Sequence, residues 1–271
     1  MTNGQSEKES SVDDVVEFTE PAPGVALVRL NRPEKLNALS GELMSALEAL
    51  WRRLARREDL RCTVLTGNGR GFCAGADSGY LGEERRPRGQ GLEGELSFLP
   101  GHVLEHPVIV AVNGICAGGG LHFVADADFV IAARSSTYVD PHVSVGQVSG
   151  IEPPSLALRL PLGVIARMAL LGVNERIPAQ RLYDLGAVTE LVDDDQLVPR
   201  AIELAGKIAA ASPAAVRSTR RSWQRLSDTL LEPSMCEGWD DVQRHWAHPD
   251  STEGPRAFEQ KRTPRWAAAD D

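Results

Sequence analysis

The chain has 271 residues, 42% hydrophobic and 25% charged, with a net charge of −9. That length allows a large buried core, as one domain or two small ones, and the acidic balance excludes the broad basic surface a nucleic-acid partner needs. No apolar run approaches the length that spans a bilayer, and Met1 to Asp14 is polar throughout, so neither a membrane partner nor a secretory leader is expected. The four cysteines, Cys62, Cys73, Cys116 and Cys236, are scattered without a CxxC pair. They read as reduced thiols in a cytoplasmic protein, with no disulfide framework and no metal site.

Met1 to about Asp14 reads as a disordered tail rich in polar residues. Val15 to Thr19 and Val25 to Leu30 read as two strands joined by the Pro21-Ala22-Pro23-Gly24 turn. Ser40 is an N-cap for a helix with Leu43, Met44, Leu47, Leu50 and Leu54 on one face. Arg52, Arg53, Arg56 and Arg57 close that helix as a solvated face. Cys62 to Thr66 is a third strand, and Asn68 to Gly71 a turn. Tyr80 to Gly94 is charged and Gly-rich, which predicts a mobile loop, and Leu92 to Glu105 is predicted helical.

Val108 to Val112 is a short buried strand, followed by an Asn113-Gly114 turn. Gly118, Gly119 and Gly120 come next and lead into a helical pattern. Glycines at such a junction let backbone approach a ligand closely, and helix N-terminal N–H groups suit a developing negative charge. Phe129 to Ala132 is a further strand; Pro153 to Leu160, Val164 to Leu171 and Pro178 to Leu185 are short helices; Val188 to Val192 is a last strand. Beyond Asp193 the pattern is helical only, with Leu197, Ile202, Leu204, Ala205 and Ile208 on one helix and Pro213 opening another. The fold class is therefore α/β, with a core over 15–192 and a helical region over 193–271.

Four segments in register carry a resemblance. Phe72-Cys73-Ala74-Gly75-Ala76-Asp77, and Pro107 to Gly114 running into Ala117-Gly118-Gly119-Gly120, resemble the crotonase (enoyl-CoA hydratase/isomerase) superfamily. Arg32 to Leu39 is similar to its early CoA-binding loop, and Glu253 to Arg262 to its C-terminal signature. The resemblance implies a core of repeated ββα units, a helical region that builds homotrimers or dimers of trimers, and coenzyme A present as part of the substrate, with no permanently bound cofactor. It implies an oxyanion hole from the backbone N–H groups of Ala76 and Gly119, holding a thioester carbonyl as it becomes an enolate. Lys35, Ala38, Ala74 and Asp77 fall where the family contacts CoA, and Phe258 and Lys261 where a neighbouring subunit's CoA is reached.

The chain departs from the family at two positions. The usual hydratase carries two glutamates, and here the matching residues are His122 and His142. A Gly-rich segment is replaced by Gly150-Ile151-Glu152-Pro153-Pro154. A neutral imidazole donates at one nitrogen and accepts at the other. Glu152 folded back on His142 would make a base with an orienting carboxylate, and Asp140 is a rival for that place. The His/His/acid set is similar to that of oxocamphor hydrolase, a family relative that cleaves a carbon–carbon bond in cyclic β-diketones without CoA. The expected activity is acyl-CoA chemistry through an enolate, with hydration, isomerisation or hydrolytic C–C cleavage as subclasses. A CoA-independent β-diketone hydrolase and a catalytically silent acyl-CoA-binding protein are the alternatives. His102 with His106, and His245 with His248, are read as packing or surface residues rather than metal ligands.

Overall fold

Side chains alternate between the faces of a strand, and a strand that is apolar on both faces belongs to a parallel sheet covered on both sides. Val108 to Val112 is such a strand, buried at every position. The computed structural model describes residues 11–13, 15–77, 87, 89–101 and 103–267. Most of the expected tail, residues 80–86 and 88 of the expected loop, and His102 lie outside the described residues.

In chain order the first elements are β1 (Ser11–Asp13), β2 (Val16–Ala22), β3 (Val25–Leu30), α1 (Gly41–Leu54), β4 (Cys62–Gly67), β5 (Gly71–Cys73) and α2 (Gly91–Glu95). There follow β6 (Val108–Val112), β7 (Ile115–Ala117), α3 (Gly120–Asp126), β8 (Phe129–Ala133), β9 (Thr137–Val139), α4 (Glu152–Ser155) and α5 (Leu162–Leu171). The last are β10 (Ile177–Pro178), α6 (Ala179–Asp184), β11 (Glu190–Val192), α7 (Leu197–Ala209), α8 (Pro213–His245) and α9 (Asp250–Glu259). A seven-stranded sheet runs β1-β2-β3-β4-β6-β8-β11, antiparallel as far as β3 and parallel from there. A second, four-stranded sheet runs β10-β9-β7-β5.

The two faces of the large sheet divide the core. Val25, Leu27, Cys62, Val64, Ile109, Ala111 and Ile131 pack against Leu197, Ala201 and Ala205 of α7. Ala26, Val28, Leu65, Val108, Val110 and Val112 face the other way, toward the leucines of α1 and the small sheet's Phe72, Cys116 and Tyr138. Ser40 caps α1 as expected, its hydroxyl accepting from the Leu43 amide at 3.2 Å. Trp51 is fully buried and donates from Nε1 to the Phe98 carbonyl at 2.7 Å.

Three expectations are corrected. Ser11–Asp13 is a strand rather than tail, with Val12 opposite Glu17. The helix expected over Leu92 to Glu105 stops at Glu95. Pro100 lacks the N–H a helix would use there, and the carbonyls of Gly101 and Leu104 accept instead from the buried Arg220 guanidinium at 3.1 and 2.6 Å. Arg220 also meets Asp128 at 2.7 Å, a buried ion pair that ties α8 to the strand layer. The helix expected over Pro153 to Leu160 is the single turn of α4, begun one residue earlier at Glu152. Among the described residues no helix is long and apolar enough to cross a membrane.

Candidate active site

The site begins where β7 passes into α3. Gly118 has a φ of +46°, which favours glycine. A Cβ on Gly119 would lie 2.8 Å from Leu39 Cδ1, and one on Gly120 would lie 2.8 Å from the Cys73 carbonyl oxygen. Leu39 also bridges to the segment after β5: its amide donates to the Gly75 carbonyl at 2.8 Å, and its carbonyl accepts from the Asp77 amide at 2.9 Å. In a parallel bridge of this kind the residue between, Ala76, turns its own N–H to the opposite side. Gly75 lies against the Gly118–Gly119 backbone, since a Cβ there would stand 3.5 Å from the Gly119 nitrogen. Leu39 thus gathers Ala76 and Gly119 together, and among the described residues neither amide donates a hydrogen bond. Backbone donors left unpaired in this way can hold an anionic oxygen.

Beside them lies a cluster of side chains from three segments. His122 sits in the first turn of α3, His142 in the turn after β9, and Glu152 at the start of α4. His122 Nε2 is 3.0 Å from Glu152 Oε1, and His142 Nε2 is 3.5 Å from the same oxygen. On its other side His142 Nδ1 is 2.5 Å from Asp140 Oδ1. Glu152 and its rival Asp140 thus both lie at the His142 ring, one at each nitrogen. A Cβ on Gly118 would lie 3.4 Å from His142 Cε1, so the ring borders the glycine turn. Phe98 covers His122, ring centroids 6.4 Å apart.

Exposure ranks these groups. The His142 side chain is 22% exposed, Glu152 6% and Asp140 0%. Burial alone pushes the Glu152 carboxyl up, but the adjoining charge of His142 and His122 and the hydrogen bond from His122 outweigh it and hold it below the usual carboxylate range. Glu152 is therefore a buried anion between two imidazoles. With Asp140 and Glu152 both accepting, His142 faces an acceptor at each ring nitrogen. Of these two contacts, the 3.5 Å one at Nε2 is the looser.

The other expected binding residues form a separate patch. Lys35 is exposed on the turn Pro33–Lys35, and Ala38 is buried beside it. Arg32 donates to the Ala38 carbonyl at 2.5 Å and pairs with Asp77 at 2.8 Å, joining that turn to the segment holding Ala74 and Ala76. Leu36 and Asn37 have φ values of 51° and 57°, a conformation costly outside glycine. Asn37 anchors it, accepting from the Arg32 amide at 2.8 Å and donating to the Asn68 and Gly71 carbonyls at 2.9 and 2.8 Å. Phe258 and Lys261 stand exposed at the end of α9 and make no hydrogen bond to the histidine cluster among the described residues.

From the sequence Arg32 and Asn37 stood only as members of the Arg32 to Leu39 loop, with no role of their own, and Ser149 was not singled out. The Ser149 hydroxyl lies 2.5 Å from Asp140 Oδ2 and 3.3 Å from Glu152 Oε2. A lone serine in a loop gives no signal in one sequence; Asn37 gave a weak one, as a residue type that tolerates the left-handed conformation. The remaining histidines pack elsewhere. His106 is buried against Thr63 at 2.8 Å, with its pKa pushed down to about 4 by burial and by Arg220 and Arg217. His245 stacks on His248 and sits 2.9 Å from the Gly146 carbonyl.

Comparison with known proteins gives the family. Residues 20–269 match the model of the enoyl-CoA hydratase/isomerase family. A mevalonyl-coenzyme A hydratase of Aspergillus fumigatus is 34% identical, over 91% of this chain and 92% of that protein. A 1,2-epoxyphenylacetyl-CoA isomerase of Escherichia coli is 30% identical over 90% and 95%. Among solved structures, an enoyl-CoA hydratase/isomerase from Mycobacterium paratuberculosis superposes with a TM-score of 0.74 at 36% identity, over 94% of this chain and 98% of that one. A carnitinyl-CoA hydratase from Mycobacterium avium gives 0.82 at 28%, over 94% and 99%. The chain belongs to the enoyl-CoA hydratase/isomerase, or crotonase, family of acyl-CoA enzymes.

Proposed function

We propose that the protein acts on an acyl-CoA thioester through an enolate, with histidines moving the protons that the family's two glutamates usually move. One observation carries this reading: the Nε2 atoms of His122 and His142 converge on a single Glu152 oxygen, beside the free amides of Ala76 and Gly119. The thioester oxygen accepts from those two amides. Negative charge developing on that oxygen is then stabilised by donors that need no reorganisation. His142 Nε2 exchanges the proton with the substrate, Asp140 fixes the ring through Nδ1, and the Glu152 anion orients both imidazoles and balances the charge they take up. Lys35, Ala38, Ala74 and Asp77 line the CoA path, and Phe258 and Lys261 reach the CoA of a neighbouring subunit in a homotrimer or a dimer of trimers. Coenzyme A is part of the substrate, and the protein works in the cytoplasm.

The leading reaction is reversible hydration of an enoyl thioester, in keeping with hydratases among the relatives. A second reading is hydrolytic C–C cleavage of a β-dicarbonyl thioester. The 2.5 Å Asp140–His142 dyad favours it, because an oriented imidazole can deprotonate water for attack on a carbonyl. The test is turnover of crotonyl-CoA, followed as loss of the enoyl-thioester absorbance. Hydration that disappears in His142→Ala with thioester binding intact is the expected result. No hydration, with cleavage of a cyclic β-diketone thioester, would move the assignment to the second reading. Full activity in His142→Ala would overturn the role of the histidine in both.

A further inference from the structure

Asp140, His142, Glu152 and Ser149 close a ring of polar contacts. Asp140 Oδ1 meets His142 Nδ1 at 2.5 Å, and His142 Nε2 lies 3.5 Å from Glu152 Oε1. Glu152 Oε2 lies 3.3 Å from Ser149 Oγ, and Ser149 Oγ lies 2.5 Å from Asp140 Oδ2. We infer that Ser149 is a positioning residue for His142, acting through Asp140. This rests on the histidine reading given above.

Asp140 is wholly buried and has two oxygens to satisfy. Oδ1 is taken by the His142 ring, with the His142 amide at 3.3 Å. Among the described residues, Ser149 is the only donor to Oδ2. A hydroxyl has one proton to give, and the shorter distance places it on Asp140 rather than Glu152. Held at both oxygens, the Asp140 carboxylate cannot rotate, and the plane of the His142 ring is fixed with it. Without the hydroxyl, Oδ2 is a buried acceptor with no donor, and its charge falls more heavily on the His142 ring. The ring then holds its proton to higher pH and presents Nε2 less uniformly.

Among the described residues, the elements around this turn bring four further groups, each already engaged. α3 presents His122, already paired with Glu152. α8 presents His245, which contacts the Gly146 carbonyl. α9 presents Asp250, whose Oδ1 accepts from the Ala267 amide and whose Oδ2 is 3.7 Å from His248. α5 presents Arg167, paired with Glu175.

The experiment is a pH titration of ring resonances in full-length protein labelled at histidine, with His142→Ala assigning the His142 signal. Ser149→Ala is expected to move the His142 midpoint upward by about 0.5–1 pH unit, the shift one hydrogen bond corresponds to. Ser149→Thr, which keeps the hydroxyl, should restore it. In turnover, Ser149→Ala should lower kcat about 10-fold with KM little changed, the usual effect of losing an orienting partner. If Ser149→Ala does not fold, Ser149→Cys supplies a weaker donor of similar size and a smaller shift in the same direction. An unmoved His142 midpoint in a folded variant overturns the inference while leaving the histidine reading standing. Full turnover by His142→Ala overturns the histidine reading itself, whatever the titration of Ser149→Ala shows.

Discussion

The two halves of the site are made of different material. The half proposed to hold the thioester oxygen is backbone: two amides, Ala76 and Gly119, set by the Leu39 bridge and by glycines with no room for a side chain. The half proposed to move protons is side chain, with His122, His142, Glu152, Asp140 and Ser149 drawn from three segments. Backbone donors are indifferent to what is transformed, so they suit any reaction that passes through an enolate. Side chains choose which proton moves and where. A family can therefore keep the first half while exchanging glutamates for histidines in the second, and the reaction follows the second.

His142→Ala should break the side-chain half most severely, lowering kcat by about 10²–10⁴ in line with loss of a general acid or base. Acyl-CoA affinity, measured calorimetrically, should stay near that of the wild type. Ala76→Pro tests the backbone half. It deletes one amide hydrogen and leaves both Leu39 bridge bonds, which use Gly75 and Asp77. A loss of about 10²–10³ in kcat is expected, with thermal unfolding checking that the fold survives.

Glu152 should reveal itself in stability as well as rate. Burial raises its carboxyl pKa and the two imidazoles lower it further than that, so the net direction is down. A carboxyl depressed by folding adds stability that is fully present above its unfolded value, about 4.3, and is lost as pH falls below it. Urea melts should show wild-type stability falling as pH drops below about 4, and Glu152→Gln should flatten that limb. An equally steep limb in the variant would place the acid sensitivity elsewhere. The smallest effect belongs to the exposed Lys35 and Lys261, whose single alanine variants should raise KM for acyl-CoA by about 2–5-fold, the range of an exposed charge contact.

The central strands of the large sheet were legible because they are long enough for pattern to appear, whereas β1, with three residues, was read as tail. Val25 to Leu30, Cys62 to Thr66 and Val108 to Val112 all read as strands from their apolar runs, and all pair in one sheet. The small sheet was not legible as a sheet. β5, β7 and β9 have three residues each and β10 two, too few to show a period of two. Yet β5 and β7 are the strands that deliver Ala76 and Gly119, and it was family motifs rather than periodicity that pointed there. In the proposed site, the resemblance pointed to His122, His142 and Glu152 by position and the fold brings the three together, while Asp140 stood only as a rival for a place beside His142 and takes the other ring nitrogen. Asn37 acts through hydrogen bonds to Asn68 and Gly71, more than 30 residues away, whereas Ser149 meets Asp140 and Glu152 nearby in a loop whose course no periodicity reveals.

The turn that carries His142 rests on residues made much later. A Cβ on Gly146 would lie 2.3 Å from the Asp250 carbonyl and 2.8 Å from the Trp266 ring, and His245 contacts the Gly146 carbonyl. During synthesis, Ala76 and Gly119 leave the ribosome well before those supports exist. A nascent chain can gather its amides early, but the turn bearing His142 gains its backing only after Trp266 has emerged. The two halves of the site would then be completed at different moments in the life of the polypeptide.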